Sequence, residues 1–376
     1  MAHAYVPGLK VVPHTIVKKS RQLPIKGKIL KKVGEKVLAA DDVAKTHLPG
    51  NIVPTNIANK LNIEPVDIKD FMKKEEGDPI KKGEIIAETN GIFGIFKSSV
   101  MAPIDGTLDS FSHITGQAIL RENPIPVAVN AYVNGVVDEI IKDEGVVVKT
   151  HAAFIQGIFG LGGEQRGELK IVTSTQDIPI EGKMIDESCK GKIIVGGAFL
   201  THSAFKKAIK IGVKGIIVGG FNYNDIKKII GYDIGVAITG QEDINTTLIL
   251  TEGFGEIHMA KQTFELLKKH EGDVASINGA TQIRAGVIRP EVIIPVKSLD
   301  SKKGSVEKGI IGMDIGTEVR IIRAPYFGMI GTVAGLPHKL QKLESGSLAR
   351  VAKIKVWETK EEVLLPRANL EMIENK

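Results

Sequence analysis

Apolar and polar residues alternate most regularly near the end of the chain. In 349–357 (ARVAKIKVW), Val351, Ile354 and Val356 are interspersed with Arg350, Lys353 and Lys355, the two-residue period of a half-buried strand. Upstream, Val319-Arg-Ile-Ile-Arg323 is rich in β-branched residues and predicts a strand that Pro325 breaks. Gly328 and Gly331 suit a tight turn into a return strand beginning at Thr332-Val333. Val363-Leu364-Leu365, ended by Pro366, predicts a closing strand. Several short strands so close together fit a small barrel.

The middle of the chain has a different rhythm. Uninterrupted apolar runs at Lys192–Gly197 and Gly215–Gly220 predict buried strands. Between them, 201–212 has helical spacing: Thr201 is the N-cap candidate, Phe205, Ala208 and Ile209 form the apolar face, and Gly212 is the C-cap. A short helix over 224–230 capped by Asn224, strands at 236–240 and 246–251, and a helix over 258–270 complete an α/β pattern with a small parallel sheet.

The first third predicts turns more clearly than strands. Gly77-Asp78 and Lys82-Gly83 bend the chain before Ile85-Ile86-Ala87 enters a core, and Pro103 with Asp105-Gly106 gives a second turn. Between them and the N-terminus, 46–71 reads as an insert with a helix over 55–61 capped by Thr55 and a short turn at Glu64-Pro65. Further strands are expected at 127–133 and 146–150. The glycines of 157–163 read as tight corners rather than as an anion cradle, because no lysine–serine pair follows them.

These patterns carry two resemblances. Gly316–Val333 (GTEVRIIRAPYFGMIGTV) resembles the KOW motif of NusG-type transcription factors and several ribosomal proteins. That resemblance implies an SH3-like barrel that docks onto RNA, a ribosome, RNA polymerase or another large assembly. The residues it nominates are Arg320, Arg323, Lys339 and Arg350 for phosphates, and Tyr326 and Phe327 for stacking. The segments 73–88 and 101–108 resemble the barrel-sandwich hybrid of biotinyl and lipoyl domains. The hairpin tip Asn90–Gly94 lacks the lysine that such carriers modify, so no attached cofactor is expected. Leu23–Lys28 and Met72–Leu120 are also similar to the N-terminal domain of peripheral subunits of Rnf and sodium-pumping quinone reductase complexes. A peripheral redox subunit binding a nucleotide or flavin is therefore the alternative function.

Length and composition then narrow the classes. The chain has 376 residues, enough for two or three domains, and a single cysteine, Cys189. One cysteine excludes a disulfide framework and cysteine-ligated iron–sulfur clusters and favours a reducing compartment. No apolar run is long enough to span a bilayer and the N-terminus lacks the order of a signal peptide, so a cytoplasmic protein is expected. The net charge of +6 is mild. Basic residues crowd the start (Lys10, Lys18, Lys19, Arg21, Lys26, Lys28, Lys31, Lys32 and Lys36), and a solvated face explains them better than a phosphate track.

Candidate chemistry is sparse. Thr251-Glu-Gly-Phe-Gly-Glu256 joins a strand to a helix, where Gly253 and Gly255 would offer backbone N–H groups to an anion although Glu252 and Glu256 oppose it. Arg284 and Arg289 lie near turns and are further anion or partner candidates. His202, in GGAFLTHSA, is faintly similar to the phosphohistidine of swivelling domains, but a surface histidine at a helix start accounts for it. The nine histidines show no ligand spacing, and no cofactor or metal is expected. The architecture expected is multidomain and β-rich. It comprises a barrel-sandwich hybrid over 1–172 with the helical insert 46–71, an α/β domain over 173–297, a linker over 298–310, and an SH3-like barrel over 311–376. The function expected is a non-enzymatic adaptor or scaffold whose partner is RNA or an RNA–protein or protein assembly. Self-association is left open.

Overall fold

A computed structural model describes residues 9–90, 97–230, 239–240, 242, 244–282, 288–296, 313–323, 325–337, 339–342 and 348–372. The chain is strand-rich and forms several sheets.

The N-terminal part is organised by one turn used twice. In Lys32-Val-Gly-Glu35 and Lys81-Lys-Gly-Glu84 the glycine has φ of +84°, a value that side chains with a Cβ rarely adopt. In each, the glutamate carboxylate accepts from the backbone N–H three residues earlier, at 3.0 Å for Lys32 and 2.9 Å for Lys81. Two aspartate turns match in the same way: Leu38 donates to Asp41 at 3.0 Å and Glu75 to Asp78 at 2.8 Å. Around these turns run a four-stranded and a three-stranded sheet. Ile57, Leu61, Ile68, Ile80, Ile86 and Leu120 belong to the core packed on the four-stranded sheet. Helices α1 (Ile57–Leu61) and α2 (Ile68–Phe71) occupy the expected insert. The cap of α1 is Asn56, whose side chain accepts from the Asn59 N–H at 2.9 Å. Thr55, the expected cap, is instead committed to the strand Ile52–Asn56, where it is buried and faces Ala118.

Gly145–Gln156 is the seam of the molecule. One edge pairs along its length with Val11–Gln22. The other pairs first with Gly135–Ile141 and then with Glu291–Pro295. A single sheet thus runs from the N-terminal strands into the α/β layer. The boundary expected after residue 172 falls within that sheet, because Glu164–Ile171 pairs with Val274–Asn278 on one side and with Ile193–Val195 on the other.

The expected parallel sheet is present. Glu164–Ile171, Ile193–Val195, Gly215–Phe221 and Thr247–Phe254 are parallel neighbours. The last two are buried at every residue, as strands covered on both faces must be. Alternate residues serve opposite cores: Ile216, Val218, Leu248 and Leu250 join Phe205 and Phe221 on one face, while Ile217 and Ile249 join Phe264 and Leu267 on the other. Helix α3 (His202–Ile211) starts and stops where the sequence predicts: the Thr201 hydroxyl accepts from the Ala204 N–H at 3.2 Å, and Gly212 takes a left-handed conformation. Helix α4 (Tyr223–Ile230) is capped two residues earlier than expected, with Asn222 Oδ1 accepting from the N–H groups of Asn224 and Asp225. Helix α5 (Lys261–Lys269) is shorter than the predicted 258–270.

The C-terminal part is a five-stranded antiparallel sheet in the order Glu362–Pro366, Val351–Val356, Ile330–Gly335, Glu318–Ile321, Leu370–Met372. Val319, Ile321, Val333, Ile354, Val356 and Leu370 form its core. The expected linker over 298–310, most of the strand expected at 236–240 and all but the first residue of the hairpin tip at 90–94 lie outside the described residues. Among the described residues, no helix is long and apolar enough to cross a membrane.

Candidate functional site

The residues nominated for partner binding differ in burial. Arg320 and Phe327 are buried; Arg323, Lys339 and Arg350 are exposed, and Tyr326 is half-buried against the sheet's own core.

Arg320 is not a surface phosphate contact. It is 4% exposed and its guanidinium joins two parts of the chain that are far apart in sequence. One Nη donates to Glu252 Oε2 at 2.6 Å, the other to Glu371 Oε2 at 2.9 Å, and Nε donates to the Glu252 carbonyl. Both carboxylates are buried too. β-branched composition placed Arg320 in a strand, but only the fold supplies a carboxylate on each side of it. Glu252 also acts beyond this pair. Its other oxygen accepts the Ala260 N–H at 2.9 Å, which anchors the entry to α5.

Phe327 is likewise not a stacking platform. It is 8% exposed and packs into the core of the α/β layer with Phe159 and Phe254. The turn 322–329 therefore plugs the C-terminal sheet into the neighbouring layer. Gly253 and Gly328 make this contact possible. The Gly328 carbonyl accepts from the Phe254 N–H at 3.3 Å, and a Cβ on Gly253 would run into that same oxygen. Gly253 and Gly255 are thus not an anion nest. The N–H of Phe254 is taken by Gly328 and that of Gly255 by the Phe221 carbonyl at 3.0 Å. Among the glycines of 157–163, Gly160 packs against the backbone of Gly279, in keeping with the structural reading.

Near the buried triad is a small, partly open cleft of about 10 Å³, room for about one water. Thr281, Ile288 and Arg289 line one side; Ile322, Arg323 and Phe327 line the other. Burial pushes the Arg289 guanidinium below its ordinary range, Arg320 and Arg323 push it further, and Glu371 opposes them. One Arg289 Nη is buried with no hydrogen-bond partner. Arg284 lies outside the described residues.

The side of the C-terminal sheet that carries Arg320 is open to solvent farther along, at the strand Val351–Val356. In Val351–Val356, Ile354 and Val356 point into the core, so Lys353 and Lys355 point out together, and the next residue on that side is Trp357. Trp357, the chain's single tryptophan, is 41% exposed. Its indole N–H donates to the Thr332 hydroxyl at 2.9 Å, which fixes the ring against the sheet. Thr332 pairs with Lys355, and Lys353 pairs with Leu364, which is also exposed. Glu362 stands opposite Lys355 and tempers the charge. The signal for this face is present in the sequence as Lys353-x-Lys355-x-Trp357, where the alternation predicts a strand without saying what its outer side meets.

Four of the nine residues in the N-terminal basic run are paired with acids. Lys18 pairs with Asp138 at 2.7 Å, Lys19 with Glu291 at 2.5 Å, and Lys31 with Glu35 at 3.0 Å. Arg21 grips Glu164 with both Nη groups, at 2.6 and 2.8 Å, and lies over the Tyr132 ring. This agrees with a solvated, internally paired face. His202 begins α3 with its Nδ1 buried and without a partner. Among the described residues, no three His, Cys, Asp or Glu side chains converge to hold a metal.

No protein-family model matches this chain, and no curated protein matches its sequence.

Proposed function

We propose that the protein is a non-enzymatic adaptor that binds RNA through the outer face of its C-terminal sheet, which we read as a KOW-type SH3-like barrel. The observation that carries this reading is the exposed row Lys353, Lys355 and Trp357. Two ammonium groups and one indole on adjacent outward positions can contact phosphates and stack a base. Lys339, in the connection after Ile330–Gly335, and Arg350, just before Val351–Val356, are exposed basic residues near this sheet. The attachment through Arg320 and Phe327 joins this sheet to the rest of the chain, and Arg320 lies on the same side of the sheet as Lys355. On this reading the N-terminal sheets are a barrel-sandwich hybrid serving as scaffold. Cys189 is fully buried and so suits a cytoplasmic protein without disulfides.

The single tryptophan makes the test direct. Titration with single-stranded RNA should quench Trp357 fluorescence, and binding should weaken as salt rises. Replacing both Lys353 and Lys355 by Ala should reduce the slope of log affinity against log salt by about 1.4, roughly 0.7 for each phosphate no longer neutralised. Salt-independent binding, or no quenching at saturating RNA, would overturn the proposal.

A further inference from the structure

One row of residues crosses the C-terminal sheet from its open part to its covered part. Trp357 donates its backbone N–H to Ile330, Ile330 pairs with Arg320, and Arg320 pairs with Glu371. Val319, Ile321, Ile354 and Val356 all face the sheet's core, so Arg320, Lys355 and Trp357 lie on the same opposite side. Arg320 thus stands two strands from Trp357, a span of about 10 Å. Trp357 is 41% exposed, yet Arg320 is only 4% exposed. The α/β layer covers Arg320, and what it sets against the guanidinium is an anion. Glu252 Oε2 accepts from one Nη at 2.6 Å and the Glu252 carbonyl accepts from Nε. Two oxygens on adjacent guanidinium donors are also what a phosphate offers.

Resting on the RNA reading above, we propose that docking of the C-terminal sheet masks a third cationic position of its RNA-binding side. Arg320 is capped by Glu252 in the docked molecule and becomes a phosphate contact when the sheet separates. Separation frees the Nε and the Nη that Glu252 holds, while the other Nη stays with Glu371, a residue of the same sheet. Two guanidinium donors then lie in line with the indole. A single strand of RNA that stacks a base on Trp357 can reach Arg320 with a neighbouring phosphate. The cap is acidic, so it competes for the same donors that a phosphate would use. The Phe327 plug and the bond from the Phe254 N–H to the Gly328 carbonyl keep the free molecule docked. The unaltered protein therefore meets RNA through Lys353, Lys355 and Trp357, with Arg320 held in reserve.

The test alters only the α/β side of the junction, in the full chain, with single-stranded RNA as the probe and Trp357 quenching as the readout. Glu252→Gln removes the capping charge and keeps an oxygen for the Ala260 N–H, and Gly253→Ala sets a methyl group against the Gly328 carbonyl. The double variant should bind RNA about 10-fold tighter, the lower end of what one charged hydrogen bond is worth. Its log affinity should also fall more steeply with log salt, by about 0.7, the increment of one further phosphate contact. Adding Arg320→Gln should return both values to those of the unaltered protein. If the double variant does not fold, Glu252→Gln alone carries the same comparison. Unchanged affinity and salt slope, with RNA still quenching Trp357 in the unaltered protein, would refute the masking and leave the RNA reading standing. A gain that survives Arg320→Gln would refute it too, because the new contact would then lie elsewhere. No quenching in any of the proteins would sink the RNA reading and the masking together.

Discussion

Replacing Arg320 by Met removes the cation that bridges two buried carboxylates. Glu252 and Glu371 have side-chain exposures of 7% and 1%, so neither can recover much hydration when its partner is removed. Breaking a buried ion pair by removing one partner costs about 3–5 kcal/mol. Against the ~5–15 kcal/mol total of an ordinary domain, that loss would expose the C-terminal sheet to frequent opening. Denaturant unfolding followed by Trp357 fluorescence is a suitable assay, because Trp357 is tied to this sheet by its indole bond to Thr332 and by its backbone bond to Ile330. The midpoint should fall by the equivalent of several kcal/mol. A loss under ~1 kcal/mol, the value of an exposed pair, would refute the claim that the triad is buried and mutually dependent. A triple variant sharpens the argument. Combining Arg320→Met with Glu252→Gln and Glu371→Leu removes the orphaned charges, while the Gln oxygen can still accept the Ala260 N–H. Most of the stability should return, since replacing a whole buried ionic group by apolar side chains is often neutral. If the triple variant is as unstable as the single one, the missing packing of the arginine stem is responsible and the electrostatic account fails.

Phe327→Ala should cost about 3–5 kcal/mol, as expected for emptying a buried aromatic site, and the loss should appear in the same Trp357 transition. Gly253→Ala places a methyl group against the Gly328 carbonyl; a loss of about 1–3 kcal/mol is expected, and an unchanged unfolding midpoint would show that the two layers are not in that contact. Hydrogen bonds from Lys149 and then Lys18 hold the Asp138 carboxyl below the ordinary aspartate range. A carboxyl depressed on folding stabilises above its unfolded value, about pH 3.9, and that contribution disappears as pH falls through the lower folded value. Asp138→Asn should therefore flatten the acid limb of the stability curve below about pH 4; an acid limb of unchanged steepness would count against it.

Elements whose signals are local were legible. The Thr201 cap and Gly212 terminus of α3 follow from two residues and their spacing. The buried strands around Ile194 and Ile217 follow from continuous apolar runs. The caps of α1 and α4 were misplaced by one and two residues because Thr, Asn and Asn neighbours offer equivalent side-chain oxygens. Only the position where the flanking strand or loop ends decides which oxygen faces the free N–H groups. The boundary after residue 172 failed to anticipate that Gly145–Gln156 pairs with strands from both sides of it, since sheet neighbours are chosen by tertiary pairing.

The candidate site shows the same division. Sequence alone determined that Lys353, Lys355 and Trp357 share one side of a strand, because a period of two admits no other arrangement once Ile354 and Val356 are inside. It also nominated Arg320 for phosphates and Phe327 for stacking. It could not tell whether they face solvent or a neighbouring layer, because a cation's environment depends on what arrives from elsewhere in the chain. The fold brings Glu252 and Glu371 to Arg320 from 68 residues before and 51 after. That placement turns an expected nucleic-acid contact into an internal clamp, while Lys353, Lys355 and Trp357 stay exposed.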